Sequence, residues 1–150
     1  MSEQLITFKT ASTAKEKGFN LKVENYYIGT NNQLVKADSE EDFNNWFDTE
    51  QVKWTSAPSQ SVLQKWLRDN HNIFLSVGPS FDDDSSRKPT GYHCDLFWIF
   101  EDNISRSKEL PHNYSTEVKV EDIYKTYEEA YEAGLFEALK LIELPKEEKL

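Results

Sequence analysis

Ser56-Ala-Pro-Ser-Gln-Ser-Val-Leu-Gln-Lys-Trp-Leu-Arg-Asp-Asn-His-Asn-Ile-Phe-Leu-Ser-Val77 holds a helix start, an amphipathic helix, a stop and a strand in one run. Pro58 suits the first turn of a helix, where its missing N–H leaves nothing unsatisfied. Ser56 or Ser59 can accept a bond from the free amides of that turn. Val62, Leu63, Trp66 and Leu67 then fall on one helix face. Asn70-His71-Asn72 ends the helix, and His71 is expected as a partly positive cap at its negative end. Ile73, Leu75 and Val77 alternate as a half-buried strand does.

Downstream of this unit, Gly78 to Thr90 reads as a loop rich in Asp and Ser. Tyr92 to Phe100 is the strongest strand pattern in the chain. Tyr92, Cys94, Leu96, Trp98 and Phe100 share one face, and His93, Asp95, Phe97 and Ile99 share the other. Glu101 to Asn113 is a polar loop, and Thr116, Val118 and Val120 alternate as a further strand. Thr126-Tyr-Glu-Glu129 is a capping box. The helix behind it carries a stripe of Tyr127, Ala130, Tyr131, Gly134, Ala138, Leu141 and Ile142, and Pro145 stops it. Gly134 weakens a helix by about 1 kcal/mol against Ala, so its place in the stripe predicts close approach to a strand or to Trp66.

Upstream, Thr7 to Lys17 reads as a first helix, capped by Thr7 or Thr10 and closed by Gly18. Phe19, Leu21 and Val23 alternate into a strand through Ile28. Gly29-Thr-Asn-Asn32 is a turn, and Gln33 to Lys36 returns as a hairpin partner. Asp38 to Glu50 carries six acidic residues and no basic one, with Phe43, Trp46 and Phe47 inside it. A short helix or packed loop would bury those rings and leave a solvated acidic edge; the functional alternative is a docking strip for a basic partner. Gln51 to Trp54 is a short strand candidate. The predicted fold is α+β: a three-stranded antiparallel meander flanked by helices, in the order helix–strand–strand–strand–helix, with an N-terminal helix and hairpin. One domain is expected over 1–150, with a helix and hairpin subregion to about 50 and a core from about 51 to 145.

Net charge is −10 over 150 residues, and the hydrophobic fraction is 37%. Such a field repels phosphate backbones and disfavours general nucleic-acid binding. It suits a basic partner. Cys94 is the single cysteine, so no internal disulfide can form. No basic-then-apolar leader opens the chain and no apolar run reaches about 20 residues. A cytoplasmic protein without membrane attachment is the expectation.

The phrases Ser56 to Arg68 with His71-Asn72-Ile73, and Thr126 to Ile142, resemble a family of small proteins of Bacteroidetes-type bacteria and their phages. Ala14-Lys-Glu-Lys-Gly-Phe-Asn20 and the Gly91-Tyr92 strand are similar to it as well. The family has no established activity. The resemblance implies phage or mobile-element ancestry, hence a host cytoplasm, and transfers no functional residue.

Chemistry is sparse. His93-Cys94-Asp95 looks like a nucleophile set, but a strand sends Cys94 to the face opposite the other two. Asp95 with Glu117-Val-Lys119 resembles the PD-(D/E)xK nuclease arrangement, in which two carboxylates hold a metal and the lysine supports the attacking water. No Pro precedes Asp95, the central helix offers no Glu, and the field is acidic. The same element order resembles a double-stranded-RNA-binding domain, but Glu128, Glu129 and Glu132 stand where lysines would be needed. Asp82-Asp83-Asp84 lacks the spacing of a calcium loop. No metal site or cofactor is predicted. The expectation is a non-enzymatic interaction protein that binds a host protein or sequesters a small nucleotide. The alternative is a nuclease using Asp95, Glu117 and Lys119. Phe74, His93, Phe97 and Ile99 lie on the outer sheet face and need a cover. The N-terminal hairpin, a second copy or another protein could supply it, and self-association is the leading expectation.

Overall fold

The computed structural model describes residues 4–80, 90–98 and 124–142. The elements in chain order are α1 (Phe8–Glu16), β1 (Val23–Ile28), β2 (Gln33–Glu41), a 3-10 turn (Phe43–Asn45), β3 (Trp54–Ser56), α2 (Gln60–His71), β4 (Ile73–Ser80), β5 (Gly91–Trp98) and α3 (Tyr127–Lys140). The fold is α+β, with antiparallel sheets flanked by helices. Among the described residues, one sheet has three strands in the order β2-β1-β3 and the other is the β4–β5 pair. The strand expected over Thr116 to Val120 lies outside the described residues. Tyr124 nevertheless pairs antiparallel with Tyr92, each amide reaching the other's carbonyl at 2.8 Å.

Local chemistry sets the helix starts. Thr7, Ser59 and Thr126 each accept from a first-turn amide, of Thr10, Val62 and Glu129 respectively. Ser59 rather than Ser56 is therefore the cap of α2, and Pro58 lies before that helix, not in its first turn. Residues 58–60 are instead held as an extended segment: Ile6 N–H donates to Pro58 O at 3.0 Å and Gln60 N–H to Gln4 O at 2.9 Å. α2 closes on Asn72 at φ +56°, a left-handed position that Asn tolerates. His71 is not a charged cap. Its ring meets Trp66 edge-on at 4.7 Å, and burial lowers its pKa, so the neutral form is favoured.

β4 runs through Gly78 and Pro79 to Ser80, three residues beyond the expected stop. Pro79 faces Tyr92, whose own N–H and C=O both go to Tyr124. The Pro79–Tyr92 pair is thus a non-hydrogen-bonded one, and the missing N–H breaks no bond to β5.

α3 packs on β4 and β5 and touches both α1 and α2, while α1 also packs on β3. One cluster of buried side chains runs from Ile6 through Phe19, Phe43, Leu63, Trp66, Leu67, Ile73, Leu75, Cys94 and Leu96 to Leu139. Val62 and Leu141, expected in the core, are half-buried at its margin. Trp98 lies on β5 at the position opposite Ile73. Tyr127, expected in the buried stripe of α3, is 44% exposed. As the first residue of the helix it meets Tyr92 and Tyr131 edge-on, and Leu135 and Leu139 occupy the core in its place. Gly134 fulfils its expected role: a Cβ there would collide with Cys94 Sγ and lie 3.0 Å from Leu75 Cδ2. The missing side chain lets α3 sit directly on the sheet.

Candidate functional site

The expected docking strip takes an unexpected form. β2 continues past Lys36 to Glu41, and its pairing with β1 slips: the two steps from Val23 to Asn25 face the five from Lys36 to Glu41. The extra residues form a bulge, a device that often re-aims side chains beside binding sites. The 3-10 turn then buries Phe43, but not its neighbours. Trp46 is 41% exposed and Phe47 84% exposed. The acidic segment therefore hides one ring of three and presents two.

Side-chain bonds hold this ledge in place. Asn44 donates to Phe19 O at 3.0 Å, and its Oδ1 accepts from Ser56 N–H at 2.8 Å. Asp48 Oδ1 accepts from Trp54 N–H at 2.9 Å, while Lys15 Nζ of α1 reaches Asp48 Oδ2 at 2.5 Å and Trp54 O at 2.8 Å. Burial alone would push the Asp48 carboxyl up. The Lys15 and Trp54 hydrogen bonds and the charges of Lys15 and Lys53 outweigh it and hold the carboxyl below its ordinary value. Thr49 closes the small turn between them by accepting from Val52 N–H at 2.9 Å.

A pocket of about 360 Å³ opens between the bulge and these rings. Phe43 is its floor, with Tyr26, Trp46 and Trp54 around it. Trp46 and Trp54 meet at 4.6 Å between centroids with a 58° tilt, and Tyr26 lies 5.2 Å from Trp54. Asp38 and Glu41 stand on the rim, with Lys36 as the opposing charge. Among the described residues Asp38 makes no ion pair, and Glu41 accepts from the Ser39 hydroxyl at 3.3 Å. Asp42, between Glu41 and Phe43, does not cap the 3-10 turn with its side chain, and its buried Oδ1 has no hydrogen-bond partner among the described residues.

A larger groove of about 840 Å³ lies where the start of α1 meets α3. Glu132, Glu137, Lys9 and Lys140 in it are already engaged. Glu132 accepts from Thr7 N–H and hydroxyl at 3.0 and 2.9 Å and from Gln60 at 3.3 Å. Lys9 and Lys140 lie over the Phe136 ring at 4.2 and 5.1 Å, and Lys140 pairs with Glu137 at 3.0 Å.

The outer sheet face carries three of the four residues expected there, Phe74, His93 and Phe97. Phe74 and Phe97 are direct cross-strand partners, both half-buried, and His93 lies opposite Gly78. His93 bonds Ser80 Oγ through Nδ1 at 2.7 Å, and its Nε2 lies 3.5 Å from Asp95. Asp95 is exposed and His93 partly so. With open surroundings, Ser80, His93 and Asp95 form a surface chain of polar contacts. Ile99, Glu117, Lys119 and Asp82 to Asp84 lie outside the described residues. Cys94 is on the buried face, where burial first and the Asp95 charge second push its thiol up to about 12. It is an inert core group rather than a nucleophile. Among the described residues no group of three His, Cys, Asp or Glu side chains could hold a metal ion, and no helix is long and apolar enough to cross a membrane.

The acidic strip and its aromatics were visible in the sequence, but the pocket was not, because Tyr26, Lys36 and Trp54 join it only through the pairing of β1 with both β2 and β3. No protein-family model, curated protein or solved structure matches the chain, so the site stands on its own chemistry.

Proposed function

We propose that this chain is a non-enzymatic interaction protein of phage or mobile-element ancestry, acting in a host cytoplasm, and that the ledge from Asp38 to Trp54 docks a basic host protein. One observation carries the reading: Trp46 and Phe47 are presented to solvent on a segment that side-chain bonds hold rigid, amid six carboxylates. Exposed aromatic anchors on a preorganised surface are what binding hot spots use. A small nucleotide fits less well, since its phosphates would face Asp38, Glu41 and the acidic field. Affinity capture from bacterial lysate, with the wild type and Phe47→Ser side by side, tests the reading. Basic proteins retained by the wild type and lost from the variant are expected. Identical captured sets would refute it.

The nuclease alternative keeps one observed feature, an exposed Asp95 on the outward face of β5. The interaction reading predicts no cleavage of DNA or RNA with magnesium or manganese. Cleavage abolished by Asp95→Ala would restore the alternative.

A further inference from the structure

We propose that the pocket between the β2 bulge and Trp46 receives an arginine side chain from the docked partner. The proposal rests on the docking reading and adds the identity of the anchor. An aromatic surface of three rings over a buried Phe43 favours a planar or cationic group above its faces. Carboxylates at the rim favour one that donates hydrogen bonds while stacked. A guanidinium does both: it lies flat on an indole and presents a fork of donors to a carboxylate. A trimethylated ammonium would use the rings but has no N–H for Asp38 or Glu41. An unmodified lysine would use the carboxylates but stacks poorly.

The volume agrees, since about 360 Å³ is near the small end of ligand pockets and suits one side chain with its stem. The charges that face the site are Asp38 and Glu41 against Lys36, so the balance is acidic and Lys36 competes with any incoming cation. The carboxylate of Asp42, set between two lining residues with Oδ1 buried and unpartnered among the described residues, adds to the field. In the larger groove Glu132 already accepts from Thr7 and Gln60, and Lys140 pairs with Glu137.

The experiment titrates the full chain with a capped peptide of four Gly-Arg repeats. Matched peptides carry lysine, trimethyl-lysine or citrulline in place of arginine. Tryptophan fluorescence and calorimetry provide the readouts. The arginine peptide is expected to bind at least about tenfold more tightly than the lysine peptide, and the citrulline peptide not at all. Asp38→Asn with Glu41→Gln, near-isosteric changes that leave the rings in place, should weaken binding by about tenfold or more. Trp46→Ala should do the same, and Lys36→Gln should strengthen it. Equal affinity for arginine and lysine would reduce the site to general electrostatics and overturn the proposal. Tighter binding of trimethyl-lysine would overturn it in favour of a quaternary-ammonium site. Absence of peptide binding while Phe47→Ser still loses its captured proteins would overturn the arginine anchor and leave the docking ledge standing.

Discussion

Cys94 shows how far a single side chain can be taken from its aqueous behaviour. In the unfolded chain its thiol ionises near the ordinary value of 9.0, whereas in the fold it does so only near about 12. Unfolding therefore releases a proton between those limits. The contribution is fully present below about pH 9 and is lost as pH rises toward 12. The wild type should lose up to about 1.4 kcal/mol per pH unit in that window relative to Cys94→Ala. Urea unfolding of both proteins at about pH 8 and about pH 10.5 measures it. A constant difference between them would mean the thiol is not buried. Trp66 is buried between Phe19 and His71, at 5.3 and 4.7 Å between ring centroids. Trp66→Ala should cost about 3–5 kcal/mol in the same assay. Burial of Trp66 was legible because Val62, Leu63 and Leu67 recur with it at helical spacing. The opposite fates of Phe43 and Phe47 were not legible, because both stand in one acidic run and only the 3-10 turn decides which is turned inward.

Between α3 and the β4–β5 pair, spacing is set by one missing methyl. Gly134→Ala would raise helix propensity by about 1 kcal/mol, yet its Cβ would meet Cys94 Sγ and press on Leu75. Overpacking of this kind costs about 1–3 kcal/mol, so the net change should be destabilising. Adding Cys94→Ala removes the colliding sulfur and should recover part of the loss, a coupling that a double-mutant cycle in urea reads directly. Additive effects would mean that the helix and strand do not touch there. Helix limits were largely written in the sequence, because a cap is a contact between residues three apart. The reach of β2 to Glu41 was not, because Asp, Ser and Glu are poor strand formers and tertiary pairing with Val23 overrides that preference. β4 likewise passes through Gly78-Pro79 because Pro79 occupies a non-hydrogen-bonded pair, which no local rule reveals.

Across the whole molecule, α3 is the seam. Gln60 of α2 donates to Glu128 O at 3.0 Å, Glu132 binds Thr7, and Lys17 Nζ donates to Ile142 O at 2.8 Å. Gln64 of α2 also bonds the Tyr131 hydroxyl. The sequence showed that a last helix would cover the second sheet, because its apolar stripe and its glycine required a partner. It could not show that the same helix clasps α1, because those bonds join residues 125 positions apart through polar groups with no periodic signature.

That seam has a consequence for how the polypeptide is born. Synthesis proceeds from Ile6 toward Ile142, so the helix that joins the first element to the fourth strand leaves the ribosome after everything it joins. Until then Leu75, Cys94 and Leu96 lack the cover that α3 gives them, and a nascent chain carries a partly open apolar sheet. A fragment ending at residue 123 should bind a hydrophobic dye and unfold without a cooperative transition. A synthetic peptide of residues 124–142 added to that fragment should quench the dye signal, and a fragment that already unfolds cooperatively alone would contradict this. Assembly of these elements is thus timed by α3, and the interval before that helix emerges is when a chaperone would find the chain.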